Sequence, residues 1–126
     1  MEYPCPCCGY VVFEEPPGSW DICPICFWED DLSQLRFAYM AGGANHLCLA
    51  DAQRNYAEKG VAQPGMEQQV RRPTPDDLRD PSWRRLELSK DRIEQPVRGV
   101  DYGETYPHDT TVLYYWRPNY WRRIPE

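Results

Sequence analysis

The sequence predicts an α+β fold: a small hairpin carrying two cysteine knuckles, then a helix, then an irregular aromatic-rich C-terminal segment with one short strand. Three observations lead there. Cys-Pro-x-Cys occurs twice, at Cys5 to Cys8 and at Cys23 to Cys26, on either side of a fourteen-residue spacer. Thirteen prolines punctuate the 126 residues, so helices and central strands are short outside the longest proline-free run, between Pro24 and Pro64. Beyond residue 100 the composition turns to tyrosine, tryptophan and arginine.

The knuckles come first in the chain. Two cysteines separated by two residues can turn both sulfurs toward one ion, while backbone N–H groups point at the thiolates. Pro6 and Pro24 preset φ for each turn, and Gly9 supplies the positive φ that closes the first. The spacer reads as a β-hairpin, with residues 10–13 going out, 16–18 turning and 19–22 returning. That hairpin gathers Cys5, Cys8, Cys23 and Cys26 into a tetrahedral four-sulfur site, so that residues 1–28 form a zinc ribbon. Iron in a rubredoxin-like site is the alternative, and the short hairpin favours zinc. Four thiolates leave no open position, so the expected cofactor is one structural Zn2+ that helps fold a segment too small for its own core. Disulfides need an oxidising compartment, to which nothing in the chain points. Cys7 is a spare thiol beside the site, and Cys48 a helix-start or core thiol.

The chain resembles the bacterial cysteine-rich CPCC family. The resemblance is carried by Cys-Pro-Cys-Cys-Gly-Tyr at 5–10, Pro-Gly-Ser-Trp-Asp-Ile-Cys-Pro-Ile-Cys-Phe-Trp-Glu-Asp-Asp at 17–31 and Gly-Gly-Ala-Asn at 42–45. It continues through Leu-Ala-Asp-Ala-Gln-Arg-Asn-Tyr at 49–56 to Gly60, and more faintly through 70–73. It covers about the first half to three-fifths of the chain and brings no established activity with it. The departure is Cys48, where the resemblance implies a serine introducing the helix.

That helix begins at Asn45 or His46, runs to Lys59 and stops at Gly60. Leu49, Ala52, Gln53 and Tyr56 share a face expected to pack on Phe27, Trp28, Leu32 and Leu35. The loop 42–45 has neither a Walker lysine nor a G-x-G-x-x-G pattern, and reads as a plain loop with a cap. Residues 61–82 read as a proline-punctuated connector, with Thr74 to Asp77 capping one short helix that contains Leu78. Trp83, Leu86 and Leu88 then return to the fold. The predicted organisation is 1–62 as ribbon plus helix, and 63–126 as connector and aromatic segment packing on it. Residues 110–116 give the strand signal. Trp116, Arg117, Tyr120 and Trp121 are the candidate partner-binding residues, because aromatics alternating with arginine make interface hot spots. Completion of the core and a single-stranded nucleic-acid platform over 116–123 are the competing readings of the same residues.

Charge is unevenly placed. Residues 1–35 carry Glu2, Glu14, Glu15, Asp21, Glu29, Asp30 and Asp31 and no Lys or Arg, a balance of −7 within a net −6 for the chain. That disfavours nucleic acid at the knuckles and favours a protein partner with a basic surface. There is no run of eighteen apolar residues and no basic, then apolar, N-terminus, which predicts a cytoplasmic protein without a membrane partner. Catalytic signals are weak. His46 and Cys48 diverge at a helix start, Glu29-Asp30-Asp31 reads as a solvated acidic face, and no serine stands in a nucleophile elbow. The sequence therefore predicts no enzyme but a non-catalytic, zinc-binding protein-interaction module of a bacterial cytosolic protein. Its sharper form is an immunity protein that neutralises a toxin by covering its active site. The alternatives are a redox or iron protein using the four-cysteine site, with Cys7 as reactive thiol, and a nucleic-acid-binding zinc ribbon.

Overall fold

A computed structural model of the chain describes residues 2–103 and 105–121. Its elements are β1 (Tyr3–Pro4), β2 (Val11–Phe13), α1 (Leu32–Arg36), α2 (Leu49–Lys59) and two 3-10 turns, Glu67–Gln69 and Thr110–Leu113. The fold is α+β, with the cysteines beside the hairpin.

The expected arm 10–13 is present as β2, but its partner differs from the expected 19–22. β1 and β2 pair antiparallel, Tyr3 opposite Phe13 and Pro4 opposite Val11 with a register shift between them, so the hairpin encloses the first knuckle. The stretch 19–22 does not return along β2 because it is not extended: Trp20 has φ +67° and Gly18 φ +99°. Ile22 instead bridges to Glu29, enclosing the second knuckle. The far side of β2 is covered by the connector, where the Val11 N–H donates to the Leu78 carbonyl at 2.8 Å and Tyr10 bridges to Arg79.

The short helix α1 was not expected, although Asp31-Leu32-Ser33-Gln34 has the D-x-x-Q spacing of a helix start. The Asp31 carboxylate accepts from Ser33 N–H at 2.9 Å and from Gln34 N–H at 3.3 Å. Its second oxygen accepts from Ala44 N–H. Gln34, buried, donates to the carbonyls of Met40, Asn45 and Leu47 and accepts from Asn45. Loop 40–47 is thus wrapped around one amide, and the N–H groups of Ala44 and Asn45 are spent on side chains of the chain itself.

Helix α2 starts at Leu49 rather than at Asn45 or His46, because Asn45 is drawn away into that network and into exchange with the Glu29 backbone. Cys48 occupies the N-cap position without a side-chain cap bond, as its departure from the serine pattern implies. Gly60, at φ +76°, donates to the Tyr56 carbonyl and ends the helix. Leu49 and Ala52 are buried with Trp28 and Leu35, while Tyr56 and Leu32 pack at the margin of the same cluster.

The C-terminal stretch completes that cluster. Leu113, Tyr114, Tyr115 and Trp116 are all buried in it. The strand expected over 110–116 is replaced by a 3-10 turn capped by Asp109. A strand would send alternate side chains to solvent, whereas here four successive side chains face inward. At 74–78 a tight turn stands where a helix was expected, with Asp77 accepting from Thr74 N–H and pairing with Arg71. Trp83 and Leu86 return to the core, but Leu88 is 82% exposed. Across the molecule, the buried Arg36 donates to both carboxylate oxygens of Glu94, at 3.0 and 3.1 Å. No helix among the described residues is long and apolar enough to cross a membrane.

Candidate metal centre

Each knuckle is built by the same two backbone hydrogen bonds. Gly9 N–H donates to the Cys5 carbonyl at 2.7 Å and Cys5 N–H to the Tyr10 carbonyl at 2.8 Å. In the second knuckle Phe27 donates to Cys23 at 2.9 Å and Cys23 to Trp28 at 2.8 Å. The residue after the last cysteine must be left-handed for this closure, and Gly9 and Phe27 have φ +81° and +77°. Glycine is required at position 9 for a second reason: a Cβ there would lie 2.6 Å from the Trp83 ring. Gly9→Ala is therefore expected to cost about 2–5 kcal/mol, combining left-handed strain with overpacking. The midpoint of urea unfolding measures it, and an unchanged midpoint would contradict this account of the turn.

The four sulfurs of Cys5, Cys8, Cys23 and Cys26 lie within 4.8 Å of one another and all four residues are buried. Cys5 Sγ stands 3.6 Å from Cys26 Sγ, and Cys8 Sγ 3.7 Å from Cys23 Sγ. A disulfide needs about 2.05 Å. By contrast, a tetrahedron with metal–sulfur bonds of about 2.3 Å has sulfur–sulfur edges of about 3.8 Å. The donor set fits one tetrahedral metal ion, and both of these edges join one knuckle to the other. Backbone N–H groups of Ile25 and Cys26 point at Cys23 Sγ, and that of Trp28 at Cys26 Sγ, each at 3.4 Å. Burial pushes the Cys5 and Cys26 thiols well above the usual range. The hydrogen bonds that Cys23 receives from Cys26, Cys5 and Cys8 pull its thiol far down.

The rest of the chain holds the knuckles by their carbonyls. Pro6 C=O accepts from Gln53 Nε2 at 3.0 Å and from Trp83 Nε1 at 2.9 Å, and Cys8 C=O from Arg79 Nε at 2.8 Å. In the second knuckle Cys26 C=O accepts from Ala62 N–H and Pro24 C=O from Arg71 N–H. Cys7 is buried inside the first knuckle with its thiol pushed up by burial, outside the four-sulfur group. Cys48 is buried at the start of α2 while His46 is exposed.

The C-terminal candidates lie elsewhere. Trp116 is 8% exposed, donates from Nε1 to Asp80 at 3.1 Å and packs against the rings of Tyr114 and Tyr115. Arg117 stacks on Tyr114 and reaches Asp80 at 3.4 Å. Tyr120 and Trp121 are half-buried against the core, and the Trp121 ring faces Arg36. Arg122 and Arg123 lie outside the described residues. The acidic run 29–31 divides: Glu29 reaches the surface, whereas Asp30 and Asp31 are buried and serve as acceptors for backbone and Ser19 groups. Burial raises Asp30, which its hydrogen bonds from Ser19 partly offset.

A family model described as cysteine-rich CPCC matches residues 3–77. A search of curated proteins finds no match.

Proposed function

Because the chain belongs to the cysteine-rich CPCC family, we propose that it is a zinc-ribbon module holding one structural Zn2+ and acting by binding another protein rather than by catalysis. The observation that carries this reading is the buried group of four cysteine sulfurs, whose edges of 3.6 and 3.7 Å suit a tetrahedral ion. Cys5, Cys8, Cys23 and Cys26 are its ligands. Four thiolates saturate zinc, leaving no position for a reacting water, so the ion supplies folding energy. Residues 1–62 form the metal-dependent unit, and 63–126 brace it through Arg71, Arg79 and Trp83.

Binding is favoured by what the N-terminal third leaves unneutralised. Glu2, Glu14, Glu15, Asp21 and Glu29 have no ion-pair partner among the described residues. A saturated four-thiolate zinc site adds about −2 more. A basic protein is the partner such a field attracts. In its sharpest form the module is a bacterial cytoplasmic immunity protein that covers the active site of a toxin.

The test is elemental analysis of the purified chain with an absorption spectrum, followed by co-purification from its own host. About one zinc per chain, no colour, and a partner retained through washing are expected. Cys7→Ser should keep the zinc, since Cys7 lies outside the ligand set. Iron, or oxidised cysteines without metal, would overturn the zinc reading in favour of redox chemistry. Zinc without any retained partner would sink the interaction half.

A further inference from the structure

We infer that the surface around Trp20 and Ile22 is a docking site for a protein segment that combines Lys or Arg with an apolar side chain. This deepens the interaction reading above and rests on it. Two large apolar side chains stand in solvent here, Trp20 at 57% and Ile22 at 47% exposure. The aromatic tail, where an interface was expected, spends Trp116 inside the core and turns Trp121 toward Arg36.

Trp20 is also held in place. Its φ of +67° is a conformation that a bulky residue seldom adopts. Trp20 N–H donates to the Asp30 carbonyl at 3.2 Å, and Asp30 N–H to the Asp21 carbonyl at 2.8 Å. The buried Asp30 carboxylate accepts from Ser19 N–H at 3.1 Å and Ser19 Oγ–H at 2.7 Å, fixing the residue just before Trp20. An exposed tryptophan on a backbone pinned from both sides loses little backbone freedom on binding, which favours it as an anchor residue.

The rim gives the partner its chemistry. Asp21 separates the two apolar residues and is exposed, Glu29 bridges to Ile22, and Glu14 and Glu15 are exposed at the end of β2, where this loop begins. None of these four carboxylates has an ion-pair partner among the described residues, although Arg54, Arg71, Arg84 and Arg117 are each paired elsewhere. The nearest cation in sequence, Arg36, is buried and taken by Glu94. The complement of an apolar pair with an unneutralised acidic rim is a cationic, apolar segment, and a phosphate backbone is repelled. Ile22 and Glu29 bracket Cys23 and Cys26, so the docking surface exists only while the second knuckle is closed.

The experiment pans the zinc-loaded full chain against phage-displayed random dodecapeptides, then measures binding of the enriched peptides by calorimetry. Enriched peptides are expected to pair Lys or Arg with Leu, Phe or Trp and to bind more weakly as salt rises. Trp20→Ala and Ile22→Ser should each weaken them about tenfold or more. Both variants should retain zinc, because neither side chain belongs to the four-cysteine group, and Trp20→Ala, whose side chain is 57% exposed, should keep the native unfolding midpoint. Enriched peptides that are acidic, or that bind Trp20→Ala as tightly as the native chain, would overturn this site while leaving the interaction reading standing. The absence of any enriched peptide would contradict both.

Discussion

Cys23→Ser is expected to release the metal and unfold the N-terminal half of the chain, the largest effect expected of any single substitution. Cys23 is tied into the cluster from both knuckles: its sulfur takes the backbone N–H groups of Ile25 and Cys26 and stands 3.7 Å from Cys8 Sγ. A serine oxygen is a harder and less polarizable donor on a shorter bond, so it neither reaches the ion nor matches the three remaining sulfurs. Little else would hold the region together. β1 and β2 have two and three residues, and much of what is buried between Cys5 and Cys26 is cysteine. Structural zinc contributes about 10–16 kcal/mol in comparable small modules, against about 5–15 kcal/mol for the whole stability of a typical domain. The measurements are zinc per chain and amide hydrogen exchange. Metal should fall well below one equivalent, and protection should vanish at Cys5, Gly9, Cys23 and Phe27, whose N–H bonds close the knuckles. A metal-free variant that keeps those four amides protected would show that the turns fold without the ion.

How much of this was legible in the sequence depends on the range of the interactions involved. The grouping of Cys5, Cys8, Cys23 and Cys26 is legible in the sequence because a knuckle is local: cysteine spacing and the following residue set its geometry. The end of α2 was readable for the same reason, since Gly60 stops a helix by its own backbone freedom. One arm of the hairpin, 10–13, coincides with β2, but its partner is Tyr3–Pro4 rather than 19–22, because strands of two and three residues carry no periodicity. Nothing in the letters shows that Trp20 is left-handed. The strand expected over 110–116 rested on β-branched and aromatic composition, which measures suitability for a half-buried surface. In this fold those side chains are wanted for filling a core, and Leu113 to Trp116 all face inward.

Burial of the acidic pair is only half legible: Asp31 stands at the D-x-x-Q start of α1, whereas Asp30 accepts from Ser19, eleven residues earlier, which no spacing announces. Gln34 and Gln53 were harder still. Each is a buried amide whose value lies in the carbonyls and N–H groups it satisfies, Pro6 and Leu86 for Gln53 and loop 40–47 for Gln34. Such partners lie tens of residues away or in irregular backbone, where no pattern announces them.

The same long range makes the Arg36 cage the second place where one substitution should matter greatly. Arg36 ends α1 with its side chain 2% exposed, while that of Glu94 is 19% exposed. Its guanidinium also donates to Thr105 Oγ1 at 3.0 Å and faces the rings of Phe37, Tyr102, Tyr106 and Trp121 at 4.7–5.0 Å. Glu94, Thr105 and three of those rings come from beyond residue 90, so one cation fastens the C-terminal stretch to α1. The two partners are not equivalent. Glu94→Ala leaves a guanidinium buried without its counter-charge, which is expected to cost about 3–5 kcal/mol. Arg36→Met removes the buried charge itself, fills the cage with a flexible apolar side chain that suits aromatic rings, and leaves Glu94 able to turn to water. It should cost at least about 1 kcal/mol less than Glu94→Ala, and adding Glu94→Leu to Arg36→Met should recover part of that loss. Urea unfolding of the three variants measures the order, and limited proteolysis within residues 95–103 reports whether the C-terminal stretch has come loose. If Arg36→Met proved the more damaging single change, the rings and Thr105, rather than Glu94, would be what fixes the cation, and the cage would act through cation–π attraction instead of charge pairing.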